Sequence, residues 1–272
     1  RGADRYFSPE LETAIDETLS RGEKAMLFLN RRGFASALTC LDCGTTVQCA
    51  NCQVAMTWHQ EHEALLCHYC NVMRREPSAC GKCGGHKLAQ MGIGTERLLS
   101  WVAKRWKEAR VARLDSDVTR RRGAYAEVLS GMQKGDVDIL VGTQMIAKGH
   151  DFPRVTLVGV LLAEQSLAFP DFRASERTFQ LLTQVAGRAG RGDAPGQVIV
   201  QTYNPEQYAL RFASTHDFLG FAVTENRLRR ERGYPPHAFL AAVEVSSPDA
   251  HEARQVAERV RDYLAQFLTT EG

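Results

Sequence analysis

All eight cysteines of this chain lie between Cys40 and Cys83, as four Cys-x-x-Cys pairs: Cys40/Cys43, Cys49/Cys52, Cys67/Cys70 and Cys80/Cys83. That pattern constrains the fold more than any other feature. A tetrahedral zinc takes four soft ligands, and one Cys-x-x-Cys turn presents two thiolates to one ion. Four turns therefore supply two closed four-cysteine sites. Scattered structural thiols would not repeat one interval four times, and a redox pair would occur once, at the start of a helix. Iron–sulfur clusters also use four thiolates, but the spacing C-x2-C-x5-C-x2-C-x14-C-x2-C-x9-C-x2-C matches neither ferredoxin pattern. Zinc, in a structural role because the ligand sets are complete, is the expected metal.

Four knuckles allow sequential, interleaved or nested sharing of two ions. Five residues between the first two knuckles make a tight loop, whereas fourteen between the middle two make a comfortable ribbon. Spacing thus favours nesting, with Cys49, Cys52, Cys67 and Cys70 on the inner ion. Cys40, Cys43, Cys80 and Cys83 would close the base. His59, His62, His68 and His86 are nearby, but thiolates fill both sites, so these are expected on the surface.

The flanks read differently. Ser8-Pro9-Glu10 is a helix start, with Leu11, Ile15 and Leu19 on one face and Gly22 at the stop. Lys24–Asn30 reads as a buried strand. Beyond the cysteines, a helix opens at Gly92–Glu96 and carries Leu98, Val102 and Trp106. Then come a strand over Val111–Leu114, a helix over Tyr125–Met132, and strands over Asp138–Val141 and Val155–Ala163. A helix over Arg173–Val185 and a strand over Gly196–Gln201 complete the series. Alternating strands and helices argue for an α/β fold with a mostly parallel sheet. A polar helix is expected from Asp217 to Arg232, then a strand over Phe239–Val245 and a helix over Asp249–Leu268.

Net charge is only +2, so any nucleic-acid binding must rest on local clusters such as Arg31-Arg32, Arg74-Arg75, Arg120–Arg122 and Arg227–Arg232. No apolar run approaches the ~20 residues that span a bilayer, and no signal peptide is read. A reducing cytoplasm is expected, where paired cysteines favour metal over disulfides.

Two segments carry further chemistry. Gln184, Arg188 and Arg191 are spaced to share one helix face, with Gly187 and Gly190 clearing room beside the arginines. Permanently charged planar guanidinium groups suit phosphate oxygens. In Gly142-Thr143-Gln144-Met-Ile-Ala-Lys148-Gly149-His150-Asp151, a buried strand delivers a glycine and a threonine to its carboxyl end, where ligands collect in open α/β sheets. Free backbone N–H groups there, with the Thr143 hydroxyl, would suit a phosphate.

These segments resemble motifs of the second motor lobe of superfamily 2 helicases: Thr143–Asp151 the fifth and Gln184–Arg191 the sixth. With the cysteine knuckles, the resemblance narrows to the primosomal replication-restart DNA helicases of bacteria. It extends over Leu27–Phe34, Gly92–Glu96, Gly142–Gly149, Pro170–Arg173 with Glu176-Arg177, and Gly233–Pro236. It implies a RecA-like second lobe over 1–39 and 91–216, a two-zinc insert over 40–90, and a linker helix with the start of an α+β C-terminal domain over 217–272. It implies an ATP-driven 3′-to-5′ helicase that recognises stalled forks and promotes primosome assembly, in the cytoplasm at the nucleoid. Forked and single-stranded DNA, other primosome proteins and single-stranded DNA-binding protein are the implied partners, with no membrane. By resemblance, Arg188 and Arg191 face the triphosphate, Arg191 as arginine finger, with Gln184 beside them. Gly149 and Asp151 lie near nucleotide, and Thr143, Gln144 and Lys148 nearer the DNA, with Arg31 and Arg32 as further basic candidates. The family nests its zinc ligands as above.

Two positions depart from the family pattern: Leu162-Ala163-Glu164 keeps one carboxylate where an acidic-rich segment is expected, and His237 stands where an aromatic is frequent. Neither a G-x-x-x-x-G-K-[ST] phosphate loop nor an Asp-Glu-x-His pair occurs, and those parts hold ATP and Mg²⁺. The first lobe is therefore expected upstream of Arg1, and the chain alone is expected not to hydrolyse ATP. The rival readings are a zinc-scaffolded docking module for DNA or protein, which leaves Gln184, Arg188 and Arg191 unexplained, and a branch-migration motor, which leaves the knuckles unexplained.

Overall fold

Six consecutive buried residues make β1, Lys24–Leu29, the centre of the molecule. A computed structural model describes residues 7–29, 37–59, 62–90, 95–115, 118, 123–143, 154–187, 189 and 195–270. Four strands join β1 in one sheet: β7 (Val111–Leu114), β8 (Ile139–Gly142), β9 (Val155–Leu161) and β10 (Gln197–Val200). Their order is β10-β9-β1-β8-β7 and every pairing is parallel, with Met26 between Leu140 and Val158. A parallel sheet is covered on both faces, so its inner strands are apolar throughout rather than alternating. That is why β1, β8 and β9 are buried at every position.

The two covers are distinct. Ala25, Leu27 and Leu29 face α1 (Pro9–Ser20) and α2 (Thr95–Arg105), packing with Leu11, Ile15, Leu98 and Val102. Met26 and Phe28 face the other way, towards Met132 of α3 (Ala124–Lys134) and Phe179, Leu182 and Val185 of α5 (Ala174–Ala186). A single turn, α4 (Glu164–Leu167), precedes α5, and α6 (Tyr208–Ser214) adds Leu210 and Ala213 to that second core. The expected start of α1 holds: Ser8 Oγ accepts from the Leu11 N–H at 3.3 Å, with Pro9 in the first turn. α6 was not foreseen; it is short and is capped by the Gln207 side chain.

Between β1 and α2 the chain leaves the sheet to build the cysteine insert. β2 (Leu38–Cys40) pairs antiparallel with β6 (Leu88–Gln90) at its base, placing Cys40 opposite Leu88. β3 (Thr57–His59), β4 (Ala64–Leu66) and β5 (Met73–Arg74) form an antiparallel meander further out. The sequence predicts the knuckles but none of these strands, which are two or three residues long and too short to show a period.

The chain divides into two compact units after Asn226, within α7 (Phe218–Arg232). The first unit therefore runs beyond 216, because the first half of α7 is packed into it. Phe221 stacks on Phe179 with centroids 4.2 Å apart, and the Tyr208 hydroxyl donates to Glu225 at 2.6 Å. The second unit, 227–272, contains α8 (Ala250–Thr270), as expected. The strand expected over Phe239–Val245 does not form. The segment pairs with no strand among the described residues, and Phe239, Leu240 and Val243 are exposed. Its apolar pattern suits a strand, but a strand exists only as one side of a hydrogen-bonded ladder. Among the described residues, no helix is long and apolar enough to cross a membrane.

Gly159 in β9 is where α1 meets the sheet most closely. A Cβ there would lie 2.9 Å from Leu11 Cδ1 and 3.0 Å from Leu27 Cδ2. Gly159→Val should overpack this contact and cost about 1–3 kcal/mol, measured as a lower midpoint in chemical denaturation.

Candidate metal centres and the carboxyl edge of the sheet

The four knuckles share one fold. In each, the N–H after the second cysteine bonds back to the carbonyl of the first: Gly44 to Cys40, Gln53 to Cys49, Asn71 to Cys67 and Gly84 to Cys80, at 2.8–2.9 Å. The first cysteine's N–H then reaches the carbonyl of Thr45, Val54, Val72 or Gly85, at 2.8–3.0 Å. This turn needs a left-handed residue after the second cysteine. Gly44, Gln53, Asn71 and Gly84 all have φ between +53° and +73°. Glycine adopts that region freely and asparagine tolerates it, so Gln53 carries the largest conformational cost of the four.

The sulfurs converge in nested fashion. Cys40, Cys43, Cys80 and Cys83 form one group and Cys49, Cys52, Cys67 and Cys70 the other, each with all sulfurs within 4.8 Å of one another. Sulfur–sulfur separations are 3.6 Å for Cys40–Cys83, 3.7 Å for Cys43–Cys80 and 3.6 Å for Cys49–Cys70. Thiolates about 2.3 Å from a tetrahedral zinc stand about 3.8 Å apart, whereas a disulfide would bring two sulfurs to about 2.05 Å. The donor set thus fits zinc. Sequential and interleaved sharing are excluded by the grouping.

The acidities within each quartet diverge, as they must when four ionisable thiols crowd together. The Thr45 hydroxyl, working against burial, holds Cys43 down to about 6, and the Val72 backbone holds Cys70 down to about 7. Burial pushes Cys52 and Cys67 up. Four thiolates in one place repel, and a dication removes that conflict.

Neither quartet includes a histidine. His62, His68 and His86 are exposed, as expected, but His59 is half-buried on β3 and its Nε2 is enclosed without a hydrogen-bond partner among the described residues. Its ring lies 5.3 Å from that of His68, whose pKa is lowered by burial and then by His59.

All five strands of the parallel sheet end on one edge. Thr143 follows β8 there and is 7% exposed. Its N–H donates to the Leu114 carbonyl at 3.3 Å, so the ladder between neighbouring strands continues one residue past β8. Gln184 is exposed near the end of α5. Arg31, Arg32, Gln144, Lys148, Gly149, Asp151, Arg188 and Arg191 lie outside the described residues.

A polar cluster on the same edge was missed. Asp115, directly after β7 and 1% exposed, accepts from Thr95 Oγ1 at 2.7 Å, Arg113 Nε at 2.8 Å and the Val118 N–H at 3.1 Å. Arg113 also donates to Glu96 at 3.0 Å. The carboxylate thereby ties the first turn of α2 to the chain leaving β7. Its signal in the sequence is an acid directly after a short apolar strand that ends in the buried Leu114. Burial opposes the charge, but Thr95, Arg113 and the Val118 N–H outweigh it and hold the Asp115 pKa below the ordinary 3.8. Because the folded pKa is depressed, its stabilising contribution is complete above the unfolded value and is lost as pH falls through the folded one. Asp115→Ala leaves Arg113 largely buried without its main counter-charge. It should cost about 3 kcal/mol at neutral pH, and the difference from the unmodified protein should close only in strong acid, by chemical denaturation across pH.

Comparison with known proteins meets this geometry from two sides. Residues 49–75, which contain the inner quartet, match the PriA DNA helicase Cys-rich region domain, and residues 88–193 match the helicase conserved C-terminal domain. The chain is 47% identical over 263 residues to replication restart protein PriA of Bacillus subtilis (strain 168), covering 97% of this chain and 33% of that protein. It is 38% identical to the PriA of Synechocystis sp. (strain PCC 6803) and 40% identical to that of Haemophilus influenzae, again over about a third of each relative's length. With its nested cysteine quartets set into a RecA-like parallel sheet, and its agreement with these relatives along almost its whole length, the chain belongs to the PriA replication restart family.

Proposed function

We propose that this chain is the second motor lobe and zinc module of an ATP-driven 3′-to-5′ DNA helicase that recognises stalled or repaired forks and promotes primosome assembly. The observation that carries the reading is the pair of nested cysteine quartets inserted between β1 and α2 of a five-stranded parallel sheet. Two structural zinc ions would hold the insert: one on Cys40, Cys43, Cys80 and Cys83, the other on Cys49, Cys52, Cys67 and Cys70. A bound zinc offsets the mutual repulsion of its four thiolates and fixes two knuckles to each other.

In this reading ATP and Mg²⁺ are held by a first lobe, and the chain alone does not turn over ATP. Arg188 and Arg191 face the triphosphate, Arg191 as the arginine that stabilises transition-state charge, with Gln184 alongside. Gly149 and Asp151 lie near the nucleotide. The Thr143 hydroxyl, Gln144 and Lys148 face the DNA backbone, with Arg31 and Arg32 as further contacts. The partners are forked and single-stranded DNA, other primosome proteins and single-stranded DNA-binding protein, at the bacterial nucleoid in the cytoplasm.

Two experiments test this. Cys67→Ser removes a fully buried thiol from the inner quartet, and bound zinc should fall from two equivalents to one by elemental analysis. Two equivalents retained, or iron in place of zinc, overturns the ligand assignment. In the full-length protein on forked DNA, Arg191→Ala should lower ATP turnover by about 10³-fold with nucleotide binding largely kept. Equal turnover in both proteins rejects Arg191 as the finger, and no turnover in either favours a docking module without catalysis.

A further inference from the structure

The segment Pro170–Arg177 receives no role from the motor chemistry, yet it is a heavily braced turn. Asp171 sits at its centre with its carboxylate 10% exposed. It accepts from the Arg173 guanidinium at 3.1 Å, the Arg173 N–H at 2.9 Å and the Arg177 guanidinium at 3.0 Å. Both arginines also lie over aromatic rings, Arg173 over Phe172 at 5.2 Å and Arg177 over Phe169 at 5.8 Å. The turn is the head of α5, and a contact from far away in the sequence ends on it: the Phe172 N–H donates to the Tyr69 hydroxyl oxygen at 3.3 Å.

Tyr69 stands inside the third knuckle, between Cys67 and Cys70 of the inner quartet. The outer quartet has its own seat. Gly44, beside Cys43, approaches the chain after β10 so closely that a Cβ would lie 2.6 Å from Asn204 Cβ and 2.7 Å from the Asn204 nitrogen. Among the described residues, the joints of the insert to the lobe include the covalent connections through β2 and β6, backbone packing at Gly44, and the hydrogen bond at Tyr69. α5 itself is held on the sheet by Phe179, Leu182 and Val185. Its thirteen residues make a rod of about 20 Å between the Tyr69 seat and Gln184.

From this geometry we infer that Tyr69 is a positioning residue that keys the inner cysteine quartet to the head of α5, so that the zinc insert moves with the helix whose far end leads to Arg188 and Arg191. Because the buried face of α5 holds it in place, cutting the key frees the insert rather than the helix. ATP turnover then continues while the insert no longer follows each cycle. The link to unwinding rests on the helicase reading above; the joint itself does not.

The test uses full-length protein in two arms. In hydrogen exchange, Tyr69→Ala with both zinc equivalents retained should exchange about tenfold faster at the Phe172 amide and in the inner knuckles, the size of one lost net hydrogen bond. Tyr69→Phe, which keeps the ring, should show the effect at the Phe172 amide alone. Unchanged exchange in Tyr69→Ala overturns the joint. On forked DNA, Tyr69→Ala should keep ATP turnover within a factor of two of the unmodified protein and lose several-fold in base pairs unwound per ATP, and Tyr69→Phe, which leaves the inner knuckles seated, should lose less. Turnover and unwinding falling in parallel, or neither changing, overturns the positioning role. If the unmodified protein does not unwind forks, the helicase reading fails, and the exchange arm alone decides whether Tyr69 joins the two bodies.

Discussion

The fold depends on a strand that is covered on both faces. β1 is buried at every position, with Ala25, Leu27 and Leu29 given to one helical layer and Met26 and Phe28 to the other. It can be stable only if the chain returns after the insert to supply α2 and then β7, β8 and β9. An insertion at this point would otherwise add a long, costly loop between elements that must pack together. The β2–β6 pair brings the two ends of the insert side by side, and the outer cysteine quartet lies just above it, with Cys40 closing β2. Metal binding at the base therefore shortens the effective loop across which the sheet is assembled.

The insert meets the lobe through its backbone at Gly44 and through a side chain at Tyr69. Gly44 serves two needs at once: φ of +67° for its own knuckle, and no side chain where Asn204 approaches. The equivalent residue of the fourth knuckle, Gly84, has the same left-handed backbone but open space around it. The residue type is alike in both turns, while its reason differs. Tyr69 adds a directed polar contact, and it falls on the turn from which α5 begins. On the sheet edge, Asp115 works similarly by gathering the start of α2 and the end of β7 onto one carboxylate.

Legibility in the sequence followed the range of the interaction. Cys-x-x-Cys is set by four consecutive residues, and all four knuckles form. Nesting was inferred from spacer lengths, and the sulfur positions agree with it. Ser8-Pro9 starts α1 because a cap and its helix are neighbours in the chain. Phe239–Val245 shows the converse, since an apolar alternation is local but the ladder that makes a strand is not. The N–H of Thr143 bonds to Leu114, a residue of the adjacent strand that no local pattern reveals.

The sequence by itself determined the metal chemistry, the α/β alternation, the burial of β1 and β8, and the family, because each is written in residue identity and short spacing. Only the tertiary structure decided the strand order β10-β9-β1-β8-β7, the extension of the first unit to Asn226, the buried Asp115 cluster and the seating of Tyr69 on Phe172. Those depend on which distant backbone groups find one another. That choice is made by packing both faces of a sheet at once, and it leaves no periodic mark on the chain.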